Sequence, residues 1–296
     1  MKKNNHSGKF RNTGFLFIVL WLSGFMIFRL YPAVASLVYS FTDFNLFNGI
    51  SEVGLMNYIE IFTDKKILRS IGVTFIFAVI TVPLKLAFAL LTAILLSQKI
   101  KHINLFRTVY YIPSILGSSV AIAVLWKALF RDDGLINAFM NFAGGSGINW
   151  LSDPVYALVV VSSLKIWQFG SAMLVFLAAI KNVPDSLYEA AIIDGAGRVK
   201  RFFNITLPMI TPVIFYNLIT QLCQMFQEFN APYIITQGGP RNATTLFSML
   251  IYNRAFQAKD IGMASAMTWV LFAAVALLSI IAFSSQKYWV YYEYEK

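Results

Sequence analysis

Six long apolar stretches, separated by short polar connections rich in Gly and Pro, set the plan of this 296-residue chain. They run near Phe15–Tyr39, Ile71–Ser97, Phe106–Phe130, Val155–Ile180, Leu207–Glu228 and Gly262–Phe283. Each is as long as the ~20 residues a helix needs to cross the hydrocarbon of a bilayer. Helices are the expected form, because a backbone in lipid must close its hydrogen bonds within its own segment. The pattern predicts an all-α membrane protein with six transmembrane helices, forming one domain over 1–296, with a polar loop at 181–206 between spans four and five.

Composition sharpens this picture. The chain is 58% hydrophobic and 13% charged, so no single aqueous core could hide its apolar surface. Cys223 is the sole cysteine, which excludes an intrachain disulfide and a cysteine metal cluster. His6 and His102 lie far apart beside lysines and do not suggest a metal site. The net charge of +10 raises the question of nucleic acid, but its placement answers it. With the N-terminus inside, thirteen of the 24 basic residues fall on the inner side and only seven on the outer, which also carries eight of the 14 acids. The inner set includes Lys2, Lys3, Lys9, Arg11, Lys99, Lys101, Arg107, Lys181, Arg198, Lys200 and Arg201. That asymmetry is the positive-inside signal of a cytoplasmic membrane protein, with both termini cytoplasmic and no nucleic acid required.

The first span admits a second reading. Basic residues, an apolar run and Ala33-Val34-Ala35 imitate a cleavable signal peptide. The uncharged run from Asn12 to Phe28 is long for a signal core, and Arg29 interrupts it before the apparent cleavage site, so an uncleaved span is expected. Mass spectrometry of the mature N-terminus should return an uncleaved chain. The C-terminal Tyr288, Trp289, Tyr291, Tyr292 and Tyr294 read as an interfacial aromatic belt, and Gly144–Gly147 as a flexible outer loop.

The inner loop at 181–206 carries the sharpest motif. It opens with Pro184-Asp185-Ser186, and Ser186 followed by Glu189 predicts a capping box for a short helix. Ala190 and Ala191 keep one face slim, and Gly195 can leave the helix with positive φ. The run from Tyr188 to Pro208 resembles the EAA loop of binding-protein-dependent ABC importer permeases, most closely the sugar-type, maltose-permease-like branch of carbohydrate uptake. Glu-Ala-Ala, three residues, Gly, nine residues and Ile-x-Leu-Pro match at Glu189, Ala190, Ala191, Gly195, Ile205, Leu207 and Pro208. The resemblance implies the type I ABC importer permease fold in a prokaryotic cytoplasmic membrane. It implies that Glu189, Ala190, Ala191 and Gly195, with Asp194 and Arg198 beside them, engage a cytoplasmic ATPase dimer. It further implies a second homologous permease subunit and an extracytoplasmic solute-binding protein. ATP and Mg would then be bound by the partner ATPase, and no cofactor by this chain.

The chain itself has no phosphate-binding loop, and Gly195-x-Gly197 follows a short helix instead of a strand, so a dinucleotide site fails. No nucleophile, base and orienting acid group together, and the chain is not expected to be an enzyme. For substrate, Asn217, Gln221, Gln224 and Glu228 are spaced 4, 3 and 4 and share one helical face. Such a stripe must meet protein or water: it either glues two permease subunits or forms a wall for sugar hydroxyls, since amides both donate and accept. By resemblance, sugar-contacting positions fall at Gln221, Gln224 and Glu228, and in span four at Trp167, Gln168 and Ser171. Trp167 either stacks on a pyranose face or packs.

Arg29, Lys85, Lys127 and Lys165 lie within spans. Lys127 is expected to reach the outer surface. Lys85 and Lys165 either pair with Glu228 or face an anionic substrate. The Gln237-Gly238-Gly239-Pro240 turn, followed by an amphipathic stretch Leu246–Phe256, resembles the family's outer turn on the binding-protein side. Rival readings are an ion-coupled secondary transporter, which needs buried acids of which only Glu228 is found, a permease for a non-sugar solute, and a membrane scaffold.

Overall fold

The computed structural model describes residues 18–50, 52–98, 101–117 and 119–292. Helices in chain order are α1 (Ile18–Ser40), α2 (Met56–Thr63), α3 (Lys65–Ser97), α4 (Ile103–Ile115), α5 (Val120–Leu129), α6 (Leu135–Phe142) and α7 (Pro154–Trp167). They continue with α8 (Gly170–Lys181), α9 (Asp185–Ile193), α10 (Arg198–Arg201), α11 (Leu207–Phe226), α12 (Asn230–Ile235), α13 (Phe247–Tyr252) and α14 (Ile261–Trp289). Among the described residues, β structure amounts to isolated bridges such as Thr42 with Val53. The start of span one, the basic residues before it and Tyr294 lie outside the described residues.

Four helices are by themselves long and apolar enough to cross a membrane: α1, α3, the run Arg198–Ile235 that contains α11, and α14. Two further spans are bent pairs, α4 with α5 at 99° and α7 with α8 at 44°. With these two pairs counted as spans three and four, the number of spans is the six expected. The cause of the first bend is local chemistry. Pro113 removes a helical donor near the end of α4, and Gly117 follows; proline and Gly/Ser neighbours are the usual seats of kinks. Ala33–Ala35 lies inside α1, in helical backbone.

The chain divides into two compact units, 1–64 with 251–270, and 65–250 with 271–296. In the first, Arg254 ties α2 to the segment before α14, meeting Glu60 at 2.9 Å and Asp260 at 3.5 Å. The Asn57 amide donates to the carbonyls of Ser40 and Thr42. Trp269 donates from its indole N–H to Ser36 Oγ at 3.2 Å, which joins α14 to α1.

The second unit is built around α3, which packs on α7, α8 and α11. Its buried face runs Ile67, Ser70, Thr74, Phe77, Ala78, Thr81, Lys85, Ala89 and Ala93, a 3–4 spacing that keeps one stripe inward. Most of these side chains are small. In a bilayer, where lipid is as apolar as leucine, helices associate by such close approach. Larger groups fill what remains: Phe77, Leu164, Met173, Phe176 and Met225 are almost wholly buried. Thr74 Oγ1 accepts from Phe247 N–H at 2.8 Å, so the start of α13 is fastened to α3. The stretch expected to be amphipathic buries Leu246, Phe247, Met249 and Leu250.

The glycine loop at 144–147 is held by buried Asn137, whose amide donates to Ile148 O and whose Oδ1 accepts from Ile148 N–H and the Trp150 indole. The Gly-Gly-Pro turn is likewise constructed. Gly238 has φ +84, and a Cβ there would lie 2.5 Å from Thr245 Oγ1. Thr245 and Thr244 hydroxyls donate to the carbonyls of Gly238 and Gly239.

Gly170 opens α8 where that helix crosses α4, and a Cβ there would stand 2.4 Å from Tyr110 O and 2.8 Å from Tyr111 Cα. Backbone cannot yield as a side chain does. Gly170→Ala should therefore destabilise the purified chain by about 1–3 kcal/mol, the usual cost of overpacking, read as a lowered melting temperature in detergent.

Candidate coupling loop and translocation face

The loop after α8 folds as a helix with an unusual start and an ordinary stop. Ser186 with Glu189 was expected to cap it, and this is corrected. α9 begins at Asp185, Pro184 is its N-cap with φ −60 and ψ 130, and no side chain caps it. Proline's fixed φ presets an extended entry, which starts the helix two residues early and leaves Ser186 inside the first turn. Asp185 still places a negative charge at the positive end of the helix dipole.

The stop is as expected. Gly195 has φ +73, its N–H donates to Ile192 O at 3.0 Å, and Ala196 N–H donates to Ala191 O at 2.8 Å. These two bonds are the Schellman pair that closes a helix through a left-handed residue. Glu189, Ala190, Asp194, Gly195 and Arg198 are exposed and Ala191 is half-buried. Ile192 and Ile193 are 56% and 87% exposed, so the short helix presents an apolar tip beside its motif residues. Its inner side is anchored: Tyr188 OH and Thr206 Oγ1 are 2.8 Å apart, linking α9 to the segment that leads into α11.

The stripe expected on α11 divides in two. Asn217 and Gln221 are buried, at 3% and 4% exposure. Asn217 donates its amide to Val213 O, while Gln221 Oε1 is buried without a partner. Gln224 is exposed and Glu228 half-buried. One residue earlier at each step, Tyr216 and Gln227 are exposed and Thr220 half-buried. With Gln224 they are spaced 4, 4 and 3 and form a second polar face that the sequence reading missed. The signal was present, because a helix this rich in hydroxyls and amides supports two overlapping stripes.

In span four, Trp167, Gln168 and Ser171 flank the 44° bend. Trp167 packs on Trp126 with ring centroids 5.2 Å apart. Gln168 is 5% exposed and donates its amide to Gly117 O, and its own carbonyl accepts from Ser114 Oγ. Ser171 N–H donates to the same Ser114 oxygen. These bonds join the breaks of spans three and four, so the two bends brace each other. Polar groups freed by interrupted helices are satisfied across the gap, as hydrocarbon demands.

Between α3, α7 and the end of α11, Lys165 Nζ meets Glu228 Oε2 at 2.7 Å, with both side chains nearly buried at 13% and 11% exposure. Glu228 Oε1 also accepts from Ala231 N–H, and its main-chain carbonyl accepts from Ser248 Oγ. Lys85 is buried on α3, at 4% exposure. Of the two readings left open for the lysines, pairing with Glu228 is what the structure shows for Lys165. Lys127 is half-buried and Arg29 exposed on α1.

Bent and straight spans, with a short exposed helix set in one polar loop, mark a multi-pass membrane protein. Residues 57–290 match the family described as binding-protein-dependent transport system inner membrane component, and the chain belongs to that family. It is a multi-pass membrane component of a transporter and not an enzyme. It is 45% identical over 99% of its length to the probable ABC transporter permease protein YesP of Bacillus subtilis (strain 168), covering 96% of that protein. It is 34% identical over 91% of its length to the lactose transport system permease protein LacF of Rhizobium radiobacter, covering 92% of it. In fold it is similar to a chain in the crystal structure of a bacterial alginate ABC transporter in complex with alginate pentasaccharide-bound periplasmic protein, with a TM-score of 0.82, 20% identity and coverage of 96% and 97% of the two chains.

The two ends of the ion pair are unequal, because Glu228 also accepts from Ala231 N–H. Glu228→Gln leaves the nearly buried Lys165 without its partner and should cost about 3–5 kcal/mol, the range for breaking a buried pair. Lys165→Met leaves Glu228 with the Ala231 bond and should cost clearly less. Thermal melting of the two variants in the same detergent checks the order.

Proposed function

We propose that this chain is one permease subunit of an ATP-driven importer that carries a sugar or oligosaccharide, delivered by an extracytoplasmic binding protein, across a prokaryotic cytoplasmic membrane. It acts as a single permease domain over 1–296, pairs with a homologous permease, and has both termini inside. The observation that carries this reading is α9: a rigid, Schellman-closed helix that exposes Glu189, Ala190, Gly195 and an apolar tip, tied by Tyr188 to the base of α11. ATP and Mg belong to the partner ATPase dimer, which receives α9. A ligand shifts a conformational equilibrium only by its differential affinity for the two states, and a stiff helix transmits that difference to span five.

The relatives support a carbohydrate: one is named for lactose, and one structural neighbour is titled for alginate. The polar faces of α11 and the bend of span four supply the substrate wall, with Gln221, Gln224 and Glu228 on one side and Trp167, Gln168 and Ser171 on the other. An ion-coupled carrier is disfavoured because Glu228, the one acid the sequence places in the spans, is held in an ion pair.

Two variants test the coupling. Gly195→Pro demands φ near −65° where the chain has +73, and Glu189→Ala removes the motif acid. Each should lower binding-protein-dependent uptake into vesicles by about tenfold or more, as expected when differential affinity between states is lost, while membrane insertion is unchanged. Uptake should fail on ATP depletion and survive an uncoupler; normal uptake by both variants refutes the coupling role.

A further inference from the structure

A cavity of about 460 Å³ lies behind the coupling helix, between the last turn of α3, the end of α8, α9 and the segment from Arg198 to Thr206. Ile94, Ile180 and Phe202 are the apolar members of its lining, and Ser97, Gln98, Tyr188, Arg198, Arg201 and Thr206 the polar ones. No acidic residue lines it. Among the described residues no carboxylate forms an ion pair with Arg198 or Arg201, although other cations of the same unit, such as Lys165, do have one.

Two features make this more than a basic surface. The Arg201 Nε is buried and has no hydrogen-bond partner, and such a group is costly to leave unmade. Tyr188 and Thr206 hydrogen-bond to each other at 2.8 Å; two hydroxyls have two O–H groups, so one remains free to donate. Two guanidinium groups, a spare hydroxyl donor and no competing acid suit a tetrahedral oxyanion, since guanidinium and phosphate match in charge and fork geometry.

We propose that this cavity binds a phosphate group, presented either by an anionic phospholipid headgroup or by a soluble phosphorylated metabolite. The apolar lining residues accommodate the carbon part of either. The occupant would bridge Arg201 to Tyr188, and so join the coupling helix to the bases of spans two and five. This makes the cavity a control point on the lever, and its existence does not depend on which substrate is carried.

The test uses the full chain in nanodiscs of pure phosphatidylcholine. One arm adds inorganic phosphate; the other includes phosphatidylglycerol as a minor lipid. Melting temperature and retained lipid, read by native mass spectrometry, report binding. Binding in the first arm identifies a soluble phosphate, and binding confined to the second identifies a lipid. Arg201→Gln should weaken either by about tenfold or more, the scale of losing a charge-assisted contact. Lys200→Gln removes an equal charge from the exposed neighbour and should leave binding unchanged. Ile94→Trp, which fills the cavity and keeps both arginines, should abolish it. The proposal is overturned if neither arm binds, if Arg201→Gln binds as wild type does, or if Lys200→Gln weakens binding as much as Arg201→Gln.

Discussion

Everything in this structure answers to one constraint: within hydrocarbon, each polar group must be satisfied by the protein itself. The backbone of the straight spans meets it by intrahelical bonding, while Gln221 Oε1 on α11 stays buried without a partner. The bent spans meet it by exchange, with Gln168 and Ser114 supplying hydrogen bonds to backbone that the breaks release. Charges meet it by pairing: Glu228 neutralises Lys165 directly. A chain that breaks two of its spans pays for each break with a dedicated amide or hydroxyl, and those residues cluster where span four bends.

The same constraint explains why α3 is the stem of its unit. Half of its buried residues are small or hydroxylated: Ala78, Ala89, Ala93, Ser70, Thr74 and Thr81. Small side chains let α7, α8 and α11 approach closely, which is how helices gain stability where apolar burial gives no advantage. The same helices place the Lys165–Glu228 ion pair against this unit, with both side chains nearly buried. Packing and electrostatics are therefore one arrangement, and the polar residues most plausible for substrate are held by the helices that make the core.

The coupling helix shows the opposite economy. It is exposed, short and closed at its C-terminus by two backbone bonds, so little of its stability comes from packing. Tyr188 alone gives it a side-chain hydrogen bond to the base of span five. An element with this design can move as a unit with α11 and still offer its outer face to a partner. The basic cavity behind it occupies the one region where such movement could be braced from within.

Much was legible in the sequence. Apolar length specified six spans, because bilayer thickness is a fixed ruler, and the spacing from Glu189 to Pro208 marked the loop, because a left-handed closure requires glycine at one position. Tertiary structure alone decided the rest. The sequence could not show that Pro184 displaces the expected Ser186 cap, since both chemistries start helices. It could not tell which of two overlapping polar stripes on α11 turns inward, because a period of 3.6 residues fits both. Nor could it choose Glu228 for Lys165. That pairing joins residues 63 positions apart, and only the packing of separate helices brings them within reach.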